Sequence, residues 1–165
     1  MSTVVGVVAP TRIRCEHLAD TGGDHVADND KAMLLAERAS LLTTVEQLDP
    51  GDWDTPSLAV GWRVRDVVAH VNFNVTLSLG VTIVGMLKTR GDIHRFMAAH
   101  ARKVGERPIA EHLEALRRVA VLATVAPTTK PSDGAIDAFV HHHDIALAVG
   151  RDVPTDDARL RWLAD

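Results

Sequence analysis

The sequence has little cysteine and no excess of positive charge, and each shortage excludes a class of protein. Its single cysteine, Cys15, excludes an internal disulfide and a cysteine-based zinc site. Because 18 lysines and arginines face 22 aspartates and glutamates, there is no basic stripe and no nucleic-acid partner is expected. The N-terminus lacks a basic segment followed by an apolar run, so no secretory signal is predicted. We therefore expect a cytoplasmic protein.

The longest stretch without charge, residues 67–87, is long enough to raise the question of a membrane span. It contains no Asp, Glu, Lys or Arg, and a spanning helix needs about 20 apolar residues. However, the stretch includes His70, Asn72 and Asn74 as well as several hydroxyl side chains. So many polar groups disfavour a helix that faces lipid. The segment is instead predicted to be a central helix of a bundle, with no membrane partner.

The spacing of apolar residues predicts helices and no strand beyond a short β-like stretch near the N-terminus. The predicted helices cover residues 31–48, 63–88, 92–104, 108–123 and 133–149, with another starting near 155. Short loops between long helices favour antiparallel neighbours. The prediction is an all-α fold, an up-down four-helix bundle with short extra helices over residues 31–165. Residues 1–30 are expected to be an irregular or disordered extension.

The first predicted helix shows a clear division into faces. Its apolar positions are Leu34, Leu41, Leu42, Val45 and Leu48. Glu37 and Arg38 fall largely outside this face, and Asp30 is a suitable N-cap for a helix that begins at residue 31. The pattern starts close to Met33, so we expect either a native start near Met33 or a disordered leading segment.

Three consecutive histidines, His141 to His143, lie in the last long predicted helix. Successive helical residues are rotated by about 100°, so the three rings cannot bind one ion together. Asp137, His141 and Asp144 share a face of this helix. A carboxylate and an imidazole one turn apart can bind the same divalent ion, and zinc accepts both ligand types. The spacing therefore indicates Asp137 and His141 as a pair of metal ligands.

A third ligand is available on the second predicted helix. His70 lies on the same face as Val67 and Val71, which we expect to point into the bundle. His70 can complete a set of two histidines and one carboxylate, which leaves coordination positions open as in catalytic metal sites. The alternative is a buried core histidine without a ligand role, because nine histidines produce many chance spacings.

Two further acids are expected to orient the imidazole rings, because ligating histidines generally donate their second ring N–H to a partner. Asp66 precedes His70 by one turn, and Asp144 follows His141 by one turn. Five other histidines are interpreted as surface residues, with His142 and His143 facing solvent or neighbouring helices. These are His94, His100, His112, His142 and His143.

Two motifs together identify a family. "LDPGDWDTPSLAVGWRVRDVVAHV" and "DAFVHHHDIALAVGRDVP" resemble the signatures of the DinB-like mycothiol-dependent maleylpyruvate isomerase N-terminal family. The resemblance extends over residues 33–165. It implies a four-helix bundle with a divalent metal ion, usually zinc, bound by His70, Asp137 and His141. It also implies that the open metal position activates a low-molecular-weight thiol, mycothiol in characterised relatives.

The resemblance therefore implies a thiol transferase or isomerase acting on a small electrophile, with no catalytic residue assigned beyond the metal ligands. The chain departs from the family at Ala59 and Val60, where relatives usually have Cys-Pro, and at Asp137, where Glu is more common. The alternative is a non-catalytic metal-binding or regulatory bundle with a degenerate site. A homodimer is also predicted, because the second helix is more apolar than one bundle face requires.

Overall fold

A computed structural model describes residues 22–126 and 129–164, and within these ranges the chain is helical with no β-strand. The helices are α1 (Gly22–Glu46), α2 (Val64–Thr76), α3 (Leu79–Lys88), α4 (Ile93–Gly105), α5 (Ile109–Ala120), α6 (Pro131–Ala148) and α7 (Asp157–Ala164). A short 3-10 turn, Asp52–Asp54, lies between α1 and α2. The all-α prediction is confirmed. The irregular character predicted for residues 1–21 lies outside the described residues.

Helices α1, α2, α5 and α6 form a closed four-helix bundle in which each packs against two others. The largest interface joins α1 and α6, which run parallel. Thr44 of α1 contacts His142 of α6, and Gln47 contacts Arg151 just beyond the C-terminal ends of the two helices. Helices α3 and α4 connect α2 to α5 and bring the chain back to the end of the bundle at which α2 began. In chain order the bundle helices therefore run up, down, down and up.

The bundle encloses one apolar core. Its fully or nearly fully buried members are Leu41, Val45, Trp53, Val64, Val67, Val68, Val71, Leu116 and Ile145. The predicted apolar face of the first helix is confirmed, since Leu34, Leu41 and Val45 are at most 1% exposed. Burial of apolar surface at about 25 cal/mol per Å² is the main force that holds these helices together.

Helix α1 begins earlier than the sequence pattern indicated. It starts at Gly22 rather than near residue 31, so residues 22–30, expected to be irregular, are helical. Asp30 consequently lies within the helix and is not its N-cap. The segment 22–30 contains no proline that would end the helix. The Asp30 carboxylate instead accepts a hydrogen bond from Trp162 Nε1 at 3.1 Å. This contact attaches α7 to α1.

Two charged residues of α1 are buried, contrary to the prediction that they lie outside the apolar face. Glu37 is 1% exposed and Arg38 is 4% exposed. Other parts of the chain cover them: Arg159 Nε of α7 lies 2.5 Å from Glu37 Oε1. Arg38 Nη1 donates to the backbone oxygens of Leu122 and Thr124 at 2.5 and 3.0 Å. The pattern of one helix cannot show these distant partners.

The prediction of a single helix over residues 63–88 is wrong, because the helix is interrupted between Thr76, where α2 ends, and Leu79, where α3 begins. Ser78 caps α3 by accepting a hydrogen bond from the backbone N–H of Val81 at 3.3 Å. Both sides of the break are apolar, so hydropathy does not mark it. In the described part of the chain, no helix is long and apolar enough to cross a membrane.

Within the described part of the chain, helix α3 packs mainly against α4 and leaves much of its apolar surface exposed. Leu79 and Leu87 are each 75% exposed, and Ile83 and Val84 are each 52% exposed. The homodimer predicted from the apolar content of this region stays a prediction, and this surface is where a second copy would reduce solvent exposure.

Candidate metal centre

Three potential ligands from two helices converge at the interface of α2 and α6. One donor atom each from His70, Asp137 and His141 lies within 4.8 Å of the other two. Asp137 Oδ1 is central: it is 3.6 Å from His70 Nε2 and 3.5 Å from His141 Nε2. The antiparallel packing of the two helices places His70 opposite the Asp-x-x-x-His turn of α6. The structure therefore brings together the three residues selected from the sequence.

The donor set suits a divalent metal ion. Zinc binds imidazole nitrogen and carboxylate oxygen at about 2.0–2.2 Å, so neighbouring ligand atoms in a tetrahedron are about 3.4 Å apart. The two nitrogen–oxygen distances at Asp137 are close to this separation. Three protein ligands also leave at least one coordination position for another molecule. The residues present therefore fit the ion that the family implies.

Aromatic side chains fix the two imidazole rings. His70 is 8% exposed, and its Nδ1 has no hydrogen-bond partner among the residues that the structure describes. The ring is held by edge-on contacts with Trp62 and Phe73, with ring centroids 5.2 and 5.3 Å away. Trp62 also stacks on His141 with a centroid distance of 6.3 Å and an interplanar angle of 15°. Trp62 thus covers both imidazoles, a role that sequence reasoning did not assign.

The loop before α2 is folded so that Trp62 reaches the metal centre. Gly61 has a φ of +80°, a left-handed conformation that glycine adopts without steric cost. The Trp62 carbonyl accepts a hydrogen bond from the Ser57 N–H at 2.9 Å, which closes the turn. Leu58 N–H donates to the backbone oxygen of Asp144 at 3.4 Å and ties the loop to α6. The Gly-Trp pair was the available signal, although its role depends on this tertiary contact.

The two acids expected to orient the rings have different positions. Asp144 Oδ2 lies 3.0 Å from His141 Nδ1, as the one-turn spacing indicated. The Asp66 carboxylate makes no hydrogen bond to the His70 ring, and that part of the prediction is wrong. The carboxylate instead accepts hydrogen bonds from Arg63, from the backbone N–H at 2.9 Å and from Nη2 at 3.0 Å. Asp66 occupies the third position of α2, where acids commonly form a capping box.

The electrostatics of the centre favour a cation. Burial alone would raise the pKa of Asp137, but hydrogen bonds from His141 and His70 outweigh it and hold that pKa below its usual range. Burial lowers the pKa of His141, while hydrogen bonds with Asp137 and Asp144 raise it to about 9. Asn74 Nδ2 also donates to Asp137 Oδ2 at 3.2 Å, leaving Oδ1 towards the imidazoles. Asp137 is therefore an ionised carboxylate with an oxygen directed at two imidazole nitrogens.

The surface interpretation of the other histidines holds for one and fails for two. Exposure falls from exposed His94, through partly buried His100 and His143, to buried His112 and His142. His142 is 0% exposed because its rotation around α6 turns it towards α1, where Thr44 Oγ1 lies 2.6 Å from its Nε2. Among the described residues, none of these five belongs to the three-residue metal group.

The fold and the three converging side chains identify the chain as a helical-bundle protein with a candidate metal centre between two antiparallel helices. The chain belongs to the mycothiol maleylpyruvate isomerase N-terminal domain family, whose family model matches residues 34–163. The matched region includes His70, Asp137 and His141, and the family predicted from the two motifs is confirmed. Comparisons with curated proteins and with solved structures gave no match.

Proposed function

We propose that His70, Asp137 and His141 bind a divalent metal ion, with zinc the expected ion, and that the protein is a thiol transferase or isomerase. Mycothiol, or a similar low-molecular-weight thiol, would be the cosubstrate, and a small electrophile the substrate. The observation that carries the proposal is the convergence of three donor atoms within 4.8 Å of one another. Membership of a mycothiol-related family supports the choice of thiol. We expect this activity in the cytoplasm.

An ion held at this site would lower the pKa of a thiol that binds beside it, and the thiolate is the reactive form. The protein's own residues position the reactants. Trp62 covers one side of the imidazole rings, whereas the Asp137 side chain is 31% exposed and marks the accessible side. The thiolate sulfur would form a bond to an electrophilic carbon. A leaving group then departs, or the carbon–sulfur bond breaks again after rotation and releases an isomer with the thiol.

A non-catalytic metal-binding or regulatory bundle is the second candidate. The observation that favours it is the small cavity beside the centre, which Arg38 and Asp137 line and whose volume is about 20 Å³. Such a space holds about one water molecule and not a thiol cosubstrate. On this alternative the protein binds metal but does not accelerate a thiol reaction.

Thiol-transfer and isomerisation assays distinguish the two candidates. Protein purified without tag or chelator and loaded with zinc is incubated with mycothiol and either a chloronitrobenzene or maleylpyruvate. We expect a many-fold acceleration that requires protein, metal and mycothiol together. H94A, at an exposed histidine outside the centre, serves as a control and should behave like the wild type. Stoichiometric metal without acceleration across a wider panel of electrophiles would favour the non-catalytic candidate.

Asp144 is expected to support metal binding through His141. D144A removes the acceptor 3.0 Å from His141 Nδ1, and loss of such a partner typically weakens metal binding about 10–100-fold. D144N keeps an oxygen that can accept this hydrogen bond, so its zinc affinity should stay close to that of the wild type. The measurement is competition with a chromophoric zinc chelator. Equal losses in both variants would show that the negative charge, rather than the hydrogen bond, matters.

A further inference from the structure

A second cavity lies between α2, α4 and α5, away from the metal ligands. Its volume is about 510 Å³, within the range of about 300–1,000 Å³ typical of small-molecule sites. Its apolar lining comprises Phe73, Leu77, Val81, Val104, Val119 and Leu122. Phe73 separates the cavity from the metal centre. Its ring centroid lies 5.3 Å from that of His70 and 4.5 Å from that of His100, which lines the cavity.

One wall of this cavity carries a buried polar group with an unmet hydrogen bond. Asn72 is 5% exposed, and its Nδ2 donates to the backbone oxygen of His112 at 3.1 Å. Its Oδ1 has no donor among the residues that the structure describes. Buried acceptors are nearly always paired, because an unpaired one loses its interaction with water without replacement. Asn72 Oδ1 is itself buried, so this amide oxygen marks a polar point behind the cavity wall and does not contact the cavity directly.

The cavity also has more positive than negative charge. Arg107 and Arg118 line it together with a single acid, Glu111. Arg118 pairs with Glu114 at 3.3 Å, but both side chains are about two-thirds exposed, so this pair contributes little and can exchange partners. Guanidinium groups bind carboxylate, phosphate and sulfonate oxygens through charge-assisted hydrogen bonds. Arg107 precedes α5 whereas Arg118 lies in its last turn, so the two guanidinium groups lie at opposite ends of the cavity. Because Arg118 already pairs with Glu114, the charge favours an anionic group at the Arg107 end.

We propose that this cavity is a second ligand site, specific for an amphipathic organic anion. The apolar body of the ligand would lie between α2, α4 and α5, with its anionic group at Arg107. The site does not use the metal ligands, so it does not depend on the proposed metal chemistry.

Fluorescence titration with a matched pair of probes tests the site. Anilinonaphthalene sulfonate has an apolar body, an N–H donor and an anionic group, whereas phenylnaphthylamine lacks only the anionic group. We expect saturable one-to-one binding of the sulfonate, with the neutral probe about tenfold weaker, the effect of one charge-assisted hydrogen bond. R107Q should weaken sulfonate binding about tenfold and leave the neutral probe unchanged. R118Q, at the other end of the cavity, should have little effect, and R102Q, on α4 outside the cavity lining, is the control.

Filling the cavity provides the decisive comparison. A115L and the smaller A115V add side-chain volume at a half-buried lining position, and either should reduce binding of both probes without lowering the melting temperature. Chelation of metal should leave probe binding unchanged, which separates this result from any failure of the metal proposal. The proposal is overturned if the wild type shows no saturable binding or if folded Ala115 variants bind like the wild type. It is also overturned if L87Q, on the exposed face of α3, removes the binding.

Discussion

Replacing His70 with alanine is expected to abolish tight binding of zinc at the α2–α6 centre. Structural zinc sites with four protein ligands contribute about 10–16 kcal/mol, so each ligand accounts for about 3 kcal/mol. Loss of one ligand should therefore weaken binding more than about 100-fold. Zinc stabilises the wild type because it binds the folded state, so the increase in melting temperature on adding zinc should largely disappear in H70A. Metal content by mass spectrometry and melting curves with and without zinc are the two measurements.

A second buried histidine provides a control for the loss of packing. His70 is 8% exposed and contacts Trp62 and Phe73, so H70A also leaves a void and lowers stability in the absence of metal. His112 is 2% exposed and stacks on Trp53 with ring centroids 5.8 Å apart. H112A should lose a comparable amount of stability yet keep the zinc-dependent increase in melting temperature.

The comparison of these two variants decides between a metal ligand and an ordinary core histidine at position 70. If chelated H70A and H112A are both destabilised but only H70A loses its response to zinc, His70 is a ligand. If the two respond to zinc equally, His70 acts through packing alone, and the proposed metal chemistry fails with it.

The candidate ligands of the metal centre were accessible to sequence reasoning because their geometry is mostly local. Asp137 and His141 are one turn apart on α6, so the helix period alone places their side chains on the same face. His70 required one further step, the inward direction of the face that it shares with Val67 and Val71. The histidine and the two valines of that face are all buried, in agreement with this step.

Features that depend on distant parts of the chain were missed. The Asp66 carboxylate accepts hydrogen bonds from Arg63 at the start of α2. Its one-turn spacing from His70 is equally compatible with a contact to the imidazole ring, so the spacing could not decide between the two. Trp62 reaches the imidazoles only because Gly61 turns the preceding loop. The buried state of Glu37 depends on α7, which follows it by more than a hundred residues. Helix periodicity reports which residues share a face, and it does not report what covers that face.

Removal of the cation beside Glu37 is expected to produce a large, pH-dependent loss of stability. Arg159 Nε lies 2.5 Å from Glu37 Oε1, with side-chain exposures of 11% and 1%. Burial raises the pKa of Glu37, and Arg159 is the principal group that opposes this rise. Of the other nearby charges, His143 also lowers this pKa and Asp156 raises it. R159M keeps an apolar side chain of similar length but leaves the carboxylate without its partner, and its pKa should rise further.

The sign of the pH dependence follows from this direction. A carboxyl group whose pKa is raised by folding stabilises the protein fully below its unfolded value of 4.5, and the stabilisation is lost as the pH rises. Near pH 4.5 R159M should therefore resemble the wild type. Above the raised Glu37 pKa of the wild type, R159M should continue to lose about 1.4 kcal/mol per pH unit until its own higher pKa is reached, whereas the wild type no longer does. At pH 7 the loss is about 3 kcal/mol at most, because protonation of Glu37 then costs less than burying its charge. Urea unfolding between pH 4.5 and 8 measures the free energy.

Glu37 itself supplies the control for this explanation. In the double variant E37Q/R159M no carboxyl group remains at position 37, so the pH-dependent part of the loss should disappear. Stability at pH 7 should also recover, because replacing both partners of a buried pair is often nearly neutral. R161M, at an exposed arginine of the same helix, should leave stability unchanged. A loss in R159M that is equal at pH 5 and pH 7 would mean that Arg159 stabilises α7 through packing of its side chain. In that case the charge of Glu37 would already be compensated by other groups, and the buried acid would not depend on α7.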